Sequence, residues 1–204
     1  NPLLLGNRQV TSDAVIANNA DLGIAWDGDF DRCFFFDENG NFVDNYYLIG
    51  LLSERLLANH PNSSIVHDPR LVWNTQEEVK KNTGTPILSK AGHSFIKEVM
   101  RENNAIYGGE MSAHHYFRDF YYSDSGMIPW LLLLQSISES GKTLSELVSE
   151  RVSKYPISGE INTTVENPKQ LLETIKSHYQ QYDPAIDDLD GYSFDFKTWR
   201  FNLR

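Results

Sequence analysis

Apolar positions along the chain follow two spacings. Short apolar runs read as strands: Leu22–Trp26, Cys33–Phe36, Ser64–His67, Thr85–Leu88 and Ala105–Gly108. Elsewhere apolar residues recur every three or four positions, the repeat of a helix face. That spacing predicts helices over Thr11–Asn18, with Thr11 or Ser12 as cap, then Val43–Ala58, Asn74–Lys81, Gly92–Glu102, Ser125–Ser138 and Leu144–Lys154. Asp37–Asn41 holds an Asn-Gly pair, a hairpin signal. Strands separated by helices of this length predict an α/β fold with a mixed, mostly parallel sheet. The rhythm changes after Tyr155-Pro156: 159–165 alternates like a strand, Pro168–Tyr182 is helical, and Tyr192–Phe196 and Trp199–Leu203 read as paired strands. That stretch predicts a separate, incomplete α+β unit.

Composition adds little to this and excludes something. Of 204 residues, 40% are hydrophobic and 23% charged, as in ordinary globular domains. The formal charge is −10, from 28 acidic and 18 basic residues, so nucleic acid and anionic membranes are not expected partners. An anionic substrate would have to be held by local cations or a metal. The single cysteine, Cys33, opens an apolar run and reads as a buried strand residue. One thiol, no signal-peptide pattern and no segment of ~18 apolar residues predict a reducing, cytoplasmic setting. The opening Asn1-Pro2 and the close at Asn202-Leu203-Arg204 read as interior positions of a longer chain. Oligomeric state is not legible.

The sharpest chemical feature is Asp27-Gly28-Asp29-Phe30-Asp31-Arg32. Residues two apart in extended backbone share a face, so three carboxylates converge. Like charges that close raise one another's pKa unless a cation neutralises them, and oxygen-only ligands suit Mg²⁺ or Ca²⁺. A solvated acidic turn is one rival. An EF-hand is another, since Asp27, Asp29, Asp31 and Glu38 occupy ligand positions, but Arg32 stands where a glycine belongs and strands flank the loop. A third is an aspartyl-phosphate phosphatase with Asp27 as nucleophile, against which Asp31 occupies a Thr or Val position.

With three further segments, the loop resembles the α-D-phosphohexomutase family of phosphomannomutase and phosphoglucomutase. Its metal loop is Asp-Gly-Asp-x-Asp-Arg. Lys90-Ala91-Gly92-His93-Ser94-Phe95-Ile96-Lys97 resembles the family's Lys-x-Gly-His-x-x-Ile-Lys segment. Gly109-Glu110-Met111-Ser112-Ala113-His114 resembles its sugar-recognition loop, and Trp199–Arg204 the strand before its last phosphate loop. The resemblance implies three parts: residues 1–40 ending a second domain, 41–156 as a complete third domain, and 157–204 beginning a fourth. The phosphorylated catalytic serine would then lie outside this chain, and the segment alone would be inactive.

Roles follow from the resemblance. Asp27, Asp29 and Asp31 would hold Mg²⁺, and Arg32 would contact phosphate, or else pair with its own aspartates. Glu110, Ser112 and His114 would bind the hexose phosphate, with Lys90 adding positive charge. Because His114 and His115 are adjacent, a strand would turn them to opposite faces. His93, at a helix start, would assist as donor or acid. Arg70 stands where many relatives have Lys; a guanidinium stays protonated, so a charge-stabilising role fits. Asp68 would orient Arg70 or simply end its strand. His60, His67, His178 and the four tryptophans read as structural. Glu110-Met111-Ser112 is the mannose/glucose version of the loop. The segment Asp68–Asn74 and the pair His114-His115 resemble bacterial family members acting on mannose phosphate.

Overall fold

The computed structural model describes residues 2–204. The chain folds as two units, one up to Pro156 and one from Ile157 to Arg204. The first opens with helix α1 (Gln9–Asn18), two residues earlier than the cap signal implied. Ser12 does not cap it. Its hydroxyl donates instead to the Gly40 carbonyl at 2.7 Å, tying the helix to the turn at Asp37–Asn41. Strands β1 (Gly23–Trp26), β2 (Cys33–Phe36) and β3 (Phe42–Val43) form an antiparallel ribbon in which every residue of β2 is buried. Asp44 then caps helix α2 (Asn45–Asn59), accepting from the Tyr46 amide at 2.9 Å. Val43, expected in that helix, belongs to β3, because the cap fixes the start two residues later.

The remainder of this unit runs β4 (Ser64–His67), α3 (Trp73–Lys81), β5 (Thr85–Leu88), α4 (His93–Glu102), β6 (Tyr107–Gly109), β7 (His115–Phe117), β8 (Ser123–Asp124), α5 (Ile128–Ser140) and α6 (Leu144–Lys154). Its sheet has the order β5-β4-β6-β7-β8. The first two pairings are parallel; the last two are antiparallel. The antiparallel half arises because the chain after β6 turns back on itself at 110–114 instead of crossing over through a helix. Strands β7 and β8 had no sequence signal, being two or three residues long among loop-like neighbours.

Alternation within strands divides the core between two sheet faces. Ile65 packs with Tyr107, Phe117 and the apolar residues of α2, including Leu48, Ile49 and Leu52. Its neighbour Val66 faces the other way, with Tyr116 and with Ile96 and Met100 of α4. Helices thus cover both faces, as parallel strands require.

Helix α6 shows how local sequence fixes an end. Thr143 Oγ1 accepts from the Glu146 amide at 3.3 Å, and Glu146 returns a carboxylate oxygen to the Thr143 amide at 2.9 Å. Both exposed donors of the first turn are thereby satisfied. Thr143→Ala should lower stability by about 1 kcal/mol, read from the urea midpoint.

The second unit holds α7 (Pro168–Gln180) and an antiparallel sheet of order β11-β10-β9, from β9 (Ala185–Asp187), β10 (Tyr192–Asp195) and β11 (Arg200–Leu203). Tyr179 of α7 meets Phe194 and Phe201 edge-on or tilted, and Phe194 is fully buried. The strand expected over 159–165 does not form. Ile161 is 78% exposed and residues 157–164 all face solvent, so alternation there finds no partner strand to satisfy its backbone.

Candidate active site

The candidate residues of the five-stranded sheet follow the carboxyl ends of its parallel strands. Asp68 and Arg70 follow β4, Lys90 to His93 follow β5, and Glu110 to His114 follow β6. Loops at that edge of an open α/β sheet diverge around a crevice, and helices begin there with free amide donors.

The carboxylate loop is the connection of the β1–β2 hairpin, whose last pair is Trp26 opposite Cys33. Phe30 takes a left-handed conformation at φ 63°, turning the loop so that its acids share one side. One oxygen each from Asp27, Asp29 and Asp31 lies within 4.8 Å of the others. Opposite oxygens in an octahedral Mg²⁺ shell stand roughly 4.2 Å apart, so small adjustments complete the set. Asp31 Oδ1 is shut off from solvent and accepts no hydrogen bond; the Arg32 Nε stands 3.5 Å from it.

Charge within the loop is unequally balanced. Burial and then the neighbouring charges of Asp27 and Asp29 push the Asp31 carboxyl up, against the opposing pull of His114 and Arg32. Burial also works against an ionised Asp27, but hydrogen bonds from Arg32 outweigh it and hold that carboxyl below the usual range. Arg32 donates from its backbone amide at 3.2 Å and from Nε at 2.5 Å to Asp27. Its guanidinium therefore turns back on the loop, the ion-pair geometry rather than an outward one.

A second candidate trio, Asp31, His114 and Asp124, is as compact. Asp124, however, already pairs with Lys97 at 2.7 Å, whose ammonium outweighs the effect of burial and holds the Asp124 carboxyl low. The oxygen set of the hairpin loop, with a buried acceptor that receives no hydrogen bond, fits a hard divalent cation better.

Gly126 braces this loop. Its amide donates to the Phe30 carbonyl at 3.2 Å and its carbonyl accepts from the Trp26 indole at 2.9 Å. A Cβ there would sit 2.5 Å from the Phe30 oxygen and 3.0 Å from the Arg32 carbonyl, both backbone. Gly126→Ala should displace the loop and weaken Mg²⁺ binding by about tenfold, a loss that titration calorimetry would measure.

His114 links the carboxylate loop to the loop after β6. Its Nε2 lies 3.3 Å from Asp31, its Nδ1 lies 2.8 Å from the Ser112 hydroxyl, and its backbone forms a bridge with Arg32. His115 points the opposite way, fully buried, with Nδ1 2.6 Å from the Tyr107 hydroxyl. Glu110 is only 3% exposed. One of its oxygens accepts from the Gly92 amide at 2.6 Å, at the start of α4, and the other from the Tyr116 hydroxyl at 2.5 Å. The loop is thus tied to the helix that begins with His93. Gly92, at φ 118°, supplies a backbone conformation that a side chain would strain.

Arg70 and Asp68 form a further ion pair at 2.7 Å, and Asp68 is fully buried. His93 is exposed at the first position of α4, and Lys90 lies with its ammonium 5.8 Å over the Phe95 ring. These two flank the network without joining the carboxylates. Residue patterns missed Tyr116, Asp124 and Asn45, whose amide donates to the Glu110 carbonyl. Tyr116 was findable, since it sits two residues beyond His114 and so on the same side of β7. Asp124 and Asn45 are remote in sequence and carried no signal.

The chain belongs to the phosphoglucomutase/phosphomannomutase family: residues 44–155 match the model for its alpha/beta/alpha domain III. Across its whole length it is 57% identical to the "Phosphohexose mutases" protein of Xanthomonas campestris pv. campestris strain B100, covering 46% of that protein. It is 54% identical, again over all of its length, to the phosphomannomutase of Escherichia coli K12, of which it covers 45%. The chain thus spans a little under half the length of these curated relatives. A phosphoglucomutase/phosphomannomutase family protein of Burkholderia thailandensis shares the fold, with a TM-score of 0.77 at 24% identity over 96% of this chain and 42% of that one. Among the described residues no helix is long and apolar enough to cross a membrane.

Proposed function

We propose that this chain is the metal-binding and sugar-recognition portion of a cytoplasmic phosphomannomutase, interconverting mannose 6-phosphate and mannose 1-phosphate for GDP-mannose and polysaccharide synthesis. The observation that carries the reading is the convergence of Asp27, Asp29 and Asp31 on a loop that His114 ties to the Ser112 loop. The 54% identity to phosphomannomutase supports the choice of sugar.

In this reading a phosphoserine outside residues 1–204 donates its phosphoryl group to a sugar hydroxyl. A P–O bond forms to the sugar, the serine P–O bond breaks, and the hydroxyl proton leaves to a base. The bisphosphorylated sugar then turns over and returns the other phosphoryl group to the serine. Asp27, Asp29 and Asp31 would hold Mg²⁺, which neutralises charge on the phosphoryl group in transit. Arg70 stays protonated and offsets phosphate charge. His93 presents a ring at the amide-rich start of α4, suited to an anion. Ser112 and His114, half-buried, face the sugar; Glu110 keeps a second lone pair on each oxygen for sugar hydroxyls.

The test is a coupled assay of the full-length protein with mannose and glucose phosphates, with and without Mg²⁺, alongside mass spectrometry for phosphoserine. Magnesium-dependent turnover favouring mannose phosphate is expected, and residues 1–204 alone should show none. A preference for glucose phosphate would reassign the sugar. Metal uptake without turnover or phosphoserine would leave a non-catalytic metal-binding module.

A further inference from the structure

Asp68 directly follows β4 and is fully buried. Oδ1 accepts from the Arg70 backbone amide at 2.8 Å and from Arg70 Nε at 3.2 Å. Oδ2 accepts from the Arg70 guanidinium at 2.7 Å and from the Met111 amide at 2.9 Å. The last bond spans 43 residues and is the point where the Arg70 segment grips the loop of Glu110, Ser112 and His114. A buried carboxylate is tolerated only while donors surround it, so both segments are held in one arrangement. The planar guanidinium fork matches the two oxygens, which fixes the plane of Arg70 as well as its place.

We propose that Asp68 is a positioning residue that sets Arg70 for the transferring phosphate and couples it to the sugar-binding loop. The proposal rests on the mutase reading. Asparagine at this site would keep the shape of the side chain but replace one acceptor by an NH₂ group. At the Oδ1 position that group would face two Arg70 donors, and at the Oδ2 position an Arg70 donor and the Met111 amide, so Arg70 loses an acceptor in either orientation and the Met111 loop loses its anchor in one of them.

Steady-state kinetics of the full-length enzyme test this, with activity expressed per folded molecule. Asp68→Asn should lower kcat about a hundredfold and raise KM for the hexose phosphate about tenfold. Added to Arg70→Lys, which forfeits the fork, Asp68→Asn should cost kcat less than about threefold more while still raising KM. Additive losses in kcat, or a lowered melting temperature with unchanged kinetics, would show a structural role and overturn the proposal. Should Asp68→Asn fail to fold, Arg70→Lys alone decides: it leaves the Met111 bond intact, so kcat should fall about thirtyfold with KM nearly constant. An equal change in KM would refute the coupling. Absence of turnover in the unaltered enzyme would remove the mutase reading itself, an outcome distinct from normal turnover that ignores Asp68.

Discussion

Asp31→Asn is expected to lower magnesium-dependent turnover of the full-length protein by about 10²- to 10³-fold. The amide keeps the shape of the side chain but takes a full charge from a site whose affinity for a hard cation depends on three carboxylates. Without metal the expectation reverses. Burial and the charges of Asp27 and Asp29 push the Asp31 carboxyl up, so its ionised form is disfavoured in the bare loop. Removing that charge relieves repulsion, and the melting temperature in chelator should stay level or rise. Added Mg²⁺ should stabilise the unaltered protein and leave the variant where it was. Opposite signs for activity and metal-free stability separate a ligand from a structural aspartate. A variant that melts earlier in chelator yet keeps its turnover would exclude Asp31 from the metal site.

The second large effect is acid sensitivity, and it comes from His115. Burial first, and then the charge of His114, push this imidazole down to about 3. Its Nε2 is buried without a hydrogen-bond partner, so a proton added there would be stranded. The unfolded chain binds that proton below pH ~6.5, whereas the folded protein does not until about 3. The unfolded state therefore holds more protons throughout this window, and stability falls as pH falls. The loss attributable to His115 should reach about 2 kcal/mol between pH 6.5 and 4.5, and about 4 kcal/mol by pH 3. Urea unfolding of the unaltered protein and His115→Gln across pH 6.5 to 4.5 isolates it, because the carboxylates and the other histidines are common to both proteins. The glutamine variant should be weaker at neutral pH but should show a shallower slope with acid. Parallel slopes would mean that His115 takes its proton in the folded state as readily as in the unfolded one.

Much of the architecture was legible because it is local. Cys33–Phe36, Ser64–His67, Thr85–Leu88 and Leu144–Lys154 are elements whose bounds were read directly from apolar runs or helical spacing. The convergence of carboxylates in the Asp27–Arg32 loop was visible for the same reason: residues two apart meet without help from distant parts of the chain. The failures were non-local. Alternation over 159–165 looked like a strand and is none, since a strand exists only where another offers its backbone. Strands β7 and β8 were invisible because pairing, not composition, makes them extended.

Glu110 shows the same division at the site. Residue order marks it as a loop acid beside Ser112 and His114. Only folding turns it inward, because the Gly92 amide and the Tyr116 hydroxyl arrive from α4 and β7 to meet it. Short-range geometry set the three converging aspartates and the elements that carry them. The burial of Asp68, the reach of His114 to Asp31 and the full burial of His115 were decided by the mixed sheet, whereas the opposite facing of the two histidines was already legible in the sequence. Those contacts join segments tens of residues apart, and a carboxylate or imidazole takes its charge state and orientation from whichever partners the packed chain brings to it.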